Sequence, residues 1–208
     1  MKQNILLSLL FLASISAAPL YAQDAEEETP QQEQAAAAIS IPALLKEVKY
    51  VTKVQPKKKA ALYLFLRSHS RCGFCRVITP QMNEAYKEMK GKGAELIMIN
   101  CDPDSEKAAA WASQTGIEIP MITPESREPI ASVVPGSGSG GTPNITVVTA
   151  DGEKLEGDSG ASRCKEIAAN WKEMLKQAKK AEAKKKAEAR KKTRKKKSKK
   201  KKSASSEL

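Results

Sequence analysis

The sequence predicts an α/β sandwich, a mixed central sheet flanked by helices, and three observations carry that expectation. A continuous apolar run at 60–66 and a second, mostly apolar run at 94–100 are separated by a helical stretch. Such runs read as parallel neighbours inside a buried sheet, because an intervening helix returns the chain to the same end. An Asp151-Gly152 pair lies between extended segments and marks a hairpin. A last helix then places Cys164, Ile167, Ala168, Trp171, Met174 and Leu175 on one face.

Each element follows in order. Residues 39–54 form either a helix or an added strand. The run 60–66 is a central strand. A helix follows it, with Val77, Ile78, Met82, Ala85, Tyr86 and Met89 apolar, and it stops before Gly91 and Gly93. The second strand is 94–100. Asp104 or Ser105 caps a helix running to about Thr115. The stretch 117–134 holds an extended piece at 119–122 and a short helix at 130–134. Gly and Ser make 135–141 a flexible loop. It is no phosphate cradle, since no Lys-Ser/Thr pair follows and Pro143 interrupts any helix. Segments 144–149 and 153–155 pair across a type I′ turn. The last helix starts near Ser162, and its extension frays through 190 before giving way to disorder.

The net charge of +12 over 208 residues is unevenly spread. Residues 176–208 carry 17 basic and 3 acidic side chains, hence +14, whereas 23–175 carry 18 and 21, hence −3. The basicity belongs to the tail, so it does not make the folded part a nucleic-acid-binding domain. Composition excludes a polytopic membrane protein and a wholly disordered chain. Four segments result: a signal peptide at 1–22, an acidic disordered linker at 23–38, a domain at 39–177 and a Lys-rich helical or disordered tail at 178–208. Lys2, the apolar run 5–18 and a small-residue site ending at Ala22 make the leader. Once it is removed, no transmembrane segment remains. The protein is expected to be exported, to a bacterial periplasm, where disulfide chemistry is possible. The tail suits a polyanion such as anionic lipid, envelope polymer or nucleic acid, or else serves only to solubilise the chain.

Cys72 and Cys75 sit where a strand enters a helix. Thiol–disulfide exchange needs an exposed thiolate, and the free N–H groups of a helix start favour a negative sulfur. Cys72 is therefore the attacking thiolate, and Cys75, one turn in, resolves the mixed disulfide. Arg71 and Arg76 add positive charge. His69, the only histidine, either tunes the thiolate or faces solvent. Cys101 and Cys164 read as buried free thiols, with a disulfide between them or a reactive Cys164 near its helix start as the alternatives. The cysteine spacing gives no zinc pattern, and neither metal nor cofactor is implied.

The segment Cys72-Gly-Phe-Cys75-Arg-Val-Ile-Thr-Pro80 resembles the active-site helix of the thioredoxin superfamily, including the proline five residues after the second cysteine. Gly141-Thr142-Pro143, followed by Asn-Ile-Thr-Val-Val-Thr-Ala-Asp-Gly, resembles that family's cis-proline loop and hairpin. The longer span from Cys101 to Pro143 is similar to the exported TlpA, tryparedoxin and nucleoredoxin-like branch. The resemblance implies a thioredoxin-like sandwich over about 55–178, with Thr142, Pro143, Gly73 and Phe74 at the substrate. It departs in three places. Arg71 replaces the usual tryptophan, Leu66 replaces the buried acid, and Gly-Phe resembles the Gly-Tyr of periplasmic disulfide isomerases. The direction of electron flow stays open. The resemblance implies an exported thiol–disulfide oxidoreductase whose partners are protein thiols and disulfides and a membrane or soluble redox protein. The alternative is a redox-silent scaffold tethered to a polyanion by its tail.

Overall fold

The computed structural model describes residues 40–57, 59–138 and 140–204, with side chains to 193. The expected leader and acidic linker lie outside the described residues. The elements are α1 (Ile41–Leu44), β1 (Leu62–Ser68), α2 (Gly73–Met89), β2 (Ala94–Asn100), α3 (Ser105–Thr115), β3 (Met121–Ile122), α4 (Arg127–Val133), β4 (Asn144–Thr149), β5 (Lys154–Ser159), α5 (Ala161–Ala169) and α6 (Trp171–Ala204).

Five strands form one mixed sheet in the order β3-β2-β1-β4-β5. β1 runs parallel to β2 and antiparallel to β4. This is the thioredoxin-like sandwich that the sequence motifs imply. β1 is central, which is why it reads as an unbroken apolar run rather than an alternating one. Its alternate side chains feed two separate cores. Leu62, Leu64 and Leu66 join Ile78, Met82 and Tyr86 of α2, with Cys164 and Ile167 of α5. Tyr63 and Phe65 join Ile41, Leu44 and Ile130 on the opposite face. Burying each large apolar side chain contributes about 1.5–3 kcal/mol, so these two layers dominate stability.

Helix α2 ends at Met89 because Gly91 adopts a left-handed backbone (φ 80°). Asn83 locks α2 to the end of α3 by donating to the Gly116 carbonyl and accepting from the Glu118 N–H, both at 2.9 Å. Asp104 caps α3, accepting from the Lys107 N–H at 2.8 Å.

Several boundaries differ from the sequence expectation. β1 begins at Leu62 rather than residue 60, because its ladder with β2 starts at the Leu62–Ala94 pair, and it runs on to Ser68 opposite Asn100. Residues 39–54 supply both alternatives in part: α1 is a single turn, and Tyr50 later bridges antiparallel to Ile122. The hairpin turn is not type I′. The Gly152 N–H bonds the Thr149 carbonyl at 3.0 Å and the Thr149 N–H bonds the Glu153 carbonyl at 2.9 Å. The tight turn therefore centres on Ala150-Asp151, and Gly152 (φ 82°) follows it in the left-handed region. A register shift between Val147 and Val148 accompanies it. β5 extends to Ser159. Its polar edge residues, Glu156 and Asp158, concealed it from a search for apolar runs.

The last helix breaks at Asn170 into α5 and α6. All six residues expected on its inner face are buried. Ala178 is the last buried residue among those described, and Lys185 pairs with Asp151 and Glu153 at 3.2 and 3.0 Å. Helical backbone continues past Arg190 to Ala204. Among the described residues, no helix is long and apolar enough to cross a membrane.

Candidate active site

Cys72 is the N-cap of α2, in an extended conformation (φ −83°, ψ 115°), at the end of the loop that leaves β1. Its Sγ accepts the Cys75 N–H at 3.2 Å, and the thiol reaches the Thr142 carbonyl at 3.4 Å. No acidic residue lies in the first turn of α2, so the free N–H groups act on the sulfur unopposed. Burial pushes the Cys72 thiol up. Hydrogen bonds from Cys75, the Thr142 side chain and the Phe74 N–H outweigh it and leave the thiol below its ordinary range. Cys75 behaves oppositely. It is fully buried, and burial, then its bond with Cys72, holds it protonated above the ordinary range. One thiol is thus prepared to ionise and attack, and its neighbour keeps its proton.

The Thr142-Pro143 peptide is cis and stands against this pair. Pro143 is buried and Thr142 half-buried. The Pro143 carbonyl accepts from the Gly160 N–H at 2.9 Å, and Arg67 Nη1 donates to the Gly140 carbonyl at 2.9 Å. Both ends of the loop are therefore tied to the sheet. Gly73 is exposed, and a side chain at that position would meet only open space. Phe74 and Val77 are 71% and 65% exposed, the large apolar side chains left in water among the described residues. Both follow Cys72 on the first turns of α2.

Arg71 and Arg76 are exposed; the Arg76 N–H donates to the Cys72 carbonyl at 3.1 Å as α2 begins, and neither guanidinium bonds to the Cys72 sulfur. The groups that lower the Cys72 thiol are hydrogen-bond donors, and neither arginine is among them. His69 is half-buried, its carbonyl accepts from the Cys72 N–H at 3.3 Å, and its Nδ1 is buried without a partner among the described residues. Cys101 and Cys164 are both free thiols. Cys164 is fully buried, but Cys101 is half-exposed, because the chain turns after β2 and sends Asp102 inward instead. Among the described residues, no three His, Cys, Asp or Glu side chains gather as they would around a metal.

Asp102 is the residue that sequence reasoning missed. It is fully buried, and its carboxylate accepts from the Ser70 N–H (3.1 and 3.2 Å), the Ser70 hydroxyl (2.7 Å) and Asn100 Nδ2 (3.0 Å). It therefore fixes the loop immediately before Cys72. No motif flagged it; the available signal was an acid two residues after a buried strand.

Comparison with known proteins supports the fold. The solution structure of a proposed protein disulfide isomerase from Bacteroides thetaiotaomicron superposes with a TM-score of 0.51 at 19% identity, covering 62% of this chain and 84% of that one. A cysteine-to-serine mutant of peroxiredoxin Q from Xanthomonas campestris superposes with a TM-score of 0.50 at 10% identity, covering 67% and 98%. At these identities the likeness speaks for the fold. No curated protein matches the chain in sequence. The AhpC/TSA family model matches residues 33–152, more than half of the sequence, and the chain belongs to the AhpC/TSA family.

Proposed function

We propose that this protein is a thiol–disulfide oxidoreductase in which Cys72 attacks a disulfide and Cys75 resolves the product. The observation that carries this reading is the asymmetry of the pair: Cys72 is half-buried with a lowered thiol, and Cys75 is fully buried with a raised one. In the reductive direction, the Cys72 thiolate attacks a partner disulfide. A Cys72–partner S–S bond forms, the partner's own S–S bond breaks, and one partner thiolate leaves. Cys75 then gives up its proton and attacks Cys72 Sγ. The Cys72–Cys75 disulfide forms, and the second partner thiolate departs with a proton from solvent. Oxidation of a substrate dithiol runs the same steps backwards. In either direction Phe74, Gly73, Thr142 and Pro143 receive the partner chain, as the exposed ring and the open space at Gly73 suit. Arg71 and Arg76 add background positive charge, and His69 tunes the pair through its backbone N–H, which favours the Cys75 anion. The leader-like features of 1–22 favour an exported protein, and a mature N-terminus at Gln23 would support this.

The test is Cys72→Ser in insulin reduction and in disulfide shuffling. Activity should be lost in both, and unchanged activity would end this reading.

A tethering role for the tail accompanies it, favoured by the exposed basic side chains along α6 from Lys179 to Lys192. Truncation after Glu188 keeps buried Ala178 and the Lys185 pairs and removes 11 of the tail's 17 basic side chains. It should strongly weaken salt-sensitive binding to anionic vesicles and leave disulfide exchange intact.

A further inference from the structure

The pair lacks the buried acid that would help Cys75 lose its proton, since Leu66 occupies that place. Something else must stabilise the Cys75 sulfur once it becomes an anion in a dry site. Strand geometry shows where to look. Leu62, Leu64 and Leu66 point to the face covered by α2 and α5. Ser68, two residues on, continues that stripe at the end of β1, four residues before Cys72, the N-cap of the helix that carries Cys75. Ser68 is fully buried, and its backbone is fixed by the Cys101 N–H bond to its carbonyl at 2.8 Å. Its Oγ is buried and forms no hydrogen bond among the described residues. A buried hydroxyl left without a partner is costly, so a use for it is expected.

We infer that Ser68 is the group that stabilises Cys75 as the resolving nucleophile, its hydroxyl donating to the Cys75 sulfur as that thiol ionises. This rests on the exchange mechanism above. The groups facing Cys75 come from four elements: Cys72 from α2, Cys164 from α5, Thr142 from the proline loop, and Ser68 and the His69 N–H from the end of β1. Burial, and next Cys72, push Cys75 up. Ser68 is the largest influence pulling it down, ahead of the His69 N–H and the Thr142 side chain. The bond tightens only when sulfur becomes charged, as hydrogen bonds at resting sites commonly do. Ser68 takes up no proton. The Cys75 proton leaves to solvent, the Cys72–Cys75 bond forms, and the released partner thiolate is reprotonated from solvent.

The experiment is a rapid acid-quench of the full chain with a peptide disulfide, following the Cys72 mixed disulfide by mass. Ser68→Ala removes one oxygen from the core, and Ser68→Thr restores the hydroxyl. Losing one hydrogen bond to a charged sulfur makes the Cys75 thiolate about tenfold scarcer. The more basic thiolate is about threefold more nucleophilic, so resolution in Ser68→Ala slows about threefold near neutral pH. The midpoint of its pH–rate profile rises by about one pH unit. Attack by Cys72 stays within twofold, and Ser68→Thr returns both values toward the parent. In a Cys72→Ala background, the ultraviolet absorbance of the Cys75 thiolate gives the same upward movement without turnover. An unmoved profile and titration in Ser68→Ala would overturn the inference. A parent protein that never forms the Cys72 mixed disulfide would instead overturn the exchange mechanism, and this assignment with it.

Discussion

Replacing Glu95 by Gln should remove a pH dependence that this fold builds into its stability. Glu95 lies in β2 opposite Tyr63, is 1% exposed, and its Oε1 finds no partner among the described residues. Burial pushes its carboxyl up to about 7, against the opposing pull of the Lys57 N–H and the charges of Lys57 and Lys90. The folded protein thus keeps a proton that the unfolded chain releases near its ordinary value of 4.5. Stability from this group is fully present below that value and is lost as pH rises toward 7 and beyond. A rise of this size corresponds to roughly 3 kcal/mol in all, of which about 2 kcal/mol falls between pH 5 and pH 8. Gln keeps the shape and carries no charge. Urea unfolding followed by fluorescence of Trp111 and Trp171 should show the parent weakening by about 2 kcal/mol between pH 5 and pH 8, the variant nearly flat, and the variant the more stable of the two at pH 8. A parent whose stability rises over that interval, or a variant with an unchanged slope, would refute the reasoning.

Asp102→Ala should lower stability by about 2–4 kcal/mol, since it strands the Ser70 N–H, the Ser70 hydroxyl and Asn100 Nδ2. For a chain of this size that is a drop of roughly 4–16 °C in Tm, read by circular dichroism. Cys164, pushed up to about 12 by burial first and then by Cys75 and Asp158, should resist alkylation at pH 8 until the protein unfolds. Mass spectrometry of the labelled native protein should find modification at Cys72 and Cys101 instead. Phe74→Ala removes an exposed ring, so stability should change by less than about 0.5 kcal/mol. Exchange with protein disulfides should slow several-fold, while exchange with a small disulfide stays the same.

The parts of the fold that were legible in the sequence are those whose signals are local. β1 and β2 are buried on both faces and so read as wholly or mostly apolar runs, and the limits of α3 follow from Asp104 and Gly116 at its ends. Cys72, Cys75 and Pro143 announce themselves by spacing. β5 was only partly legible, because an exposed edge strand carries polar residues such as Glu156 and Asp158. The hairpin turn was misread because Asp151-Gly152 suits two geometries, and the choice depends on the register of β4 with β5. Asp102 and Ser68 were illegible for a different reason. Their significance comes from what the sheet places beside them, Ser70 in one case and Cys75 in the other, and a short polar side chain gives no hint of its future neighbour.

The most direct test of the central claim is a redox equilibrium of the mature protein against glutathione, with thiols trapped and located by mass. The account predicts one two-electron transition confined to Cys72 and Cys75. A stabilised Cys72 thiolate favours the reduced form, which sets the midpoint at about −120 to −230 mV. A pair that stays reduced across the whole range, or a transition that belongs to Cys101 or Cys164, would contradict it.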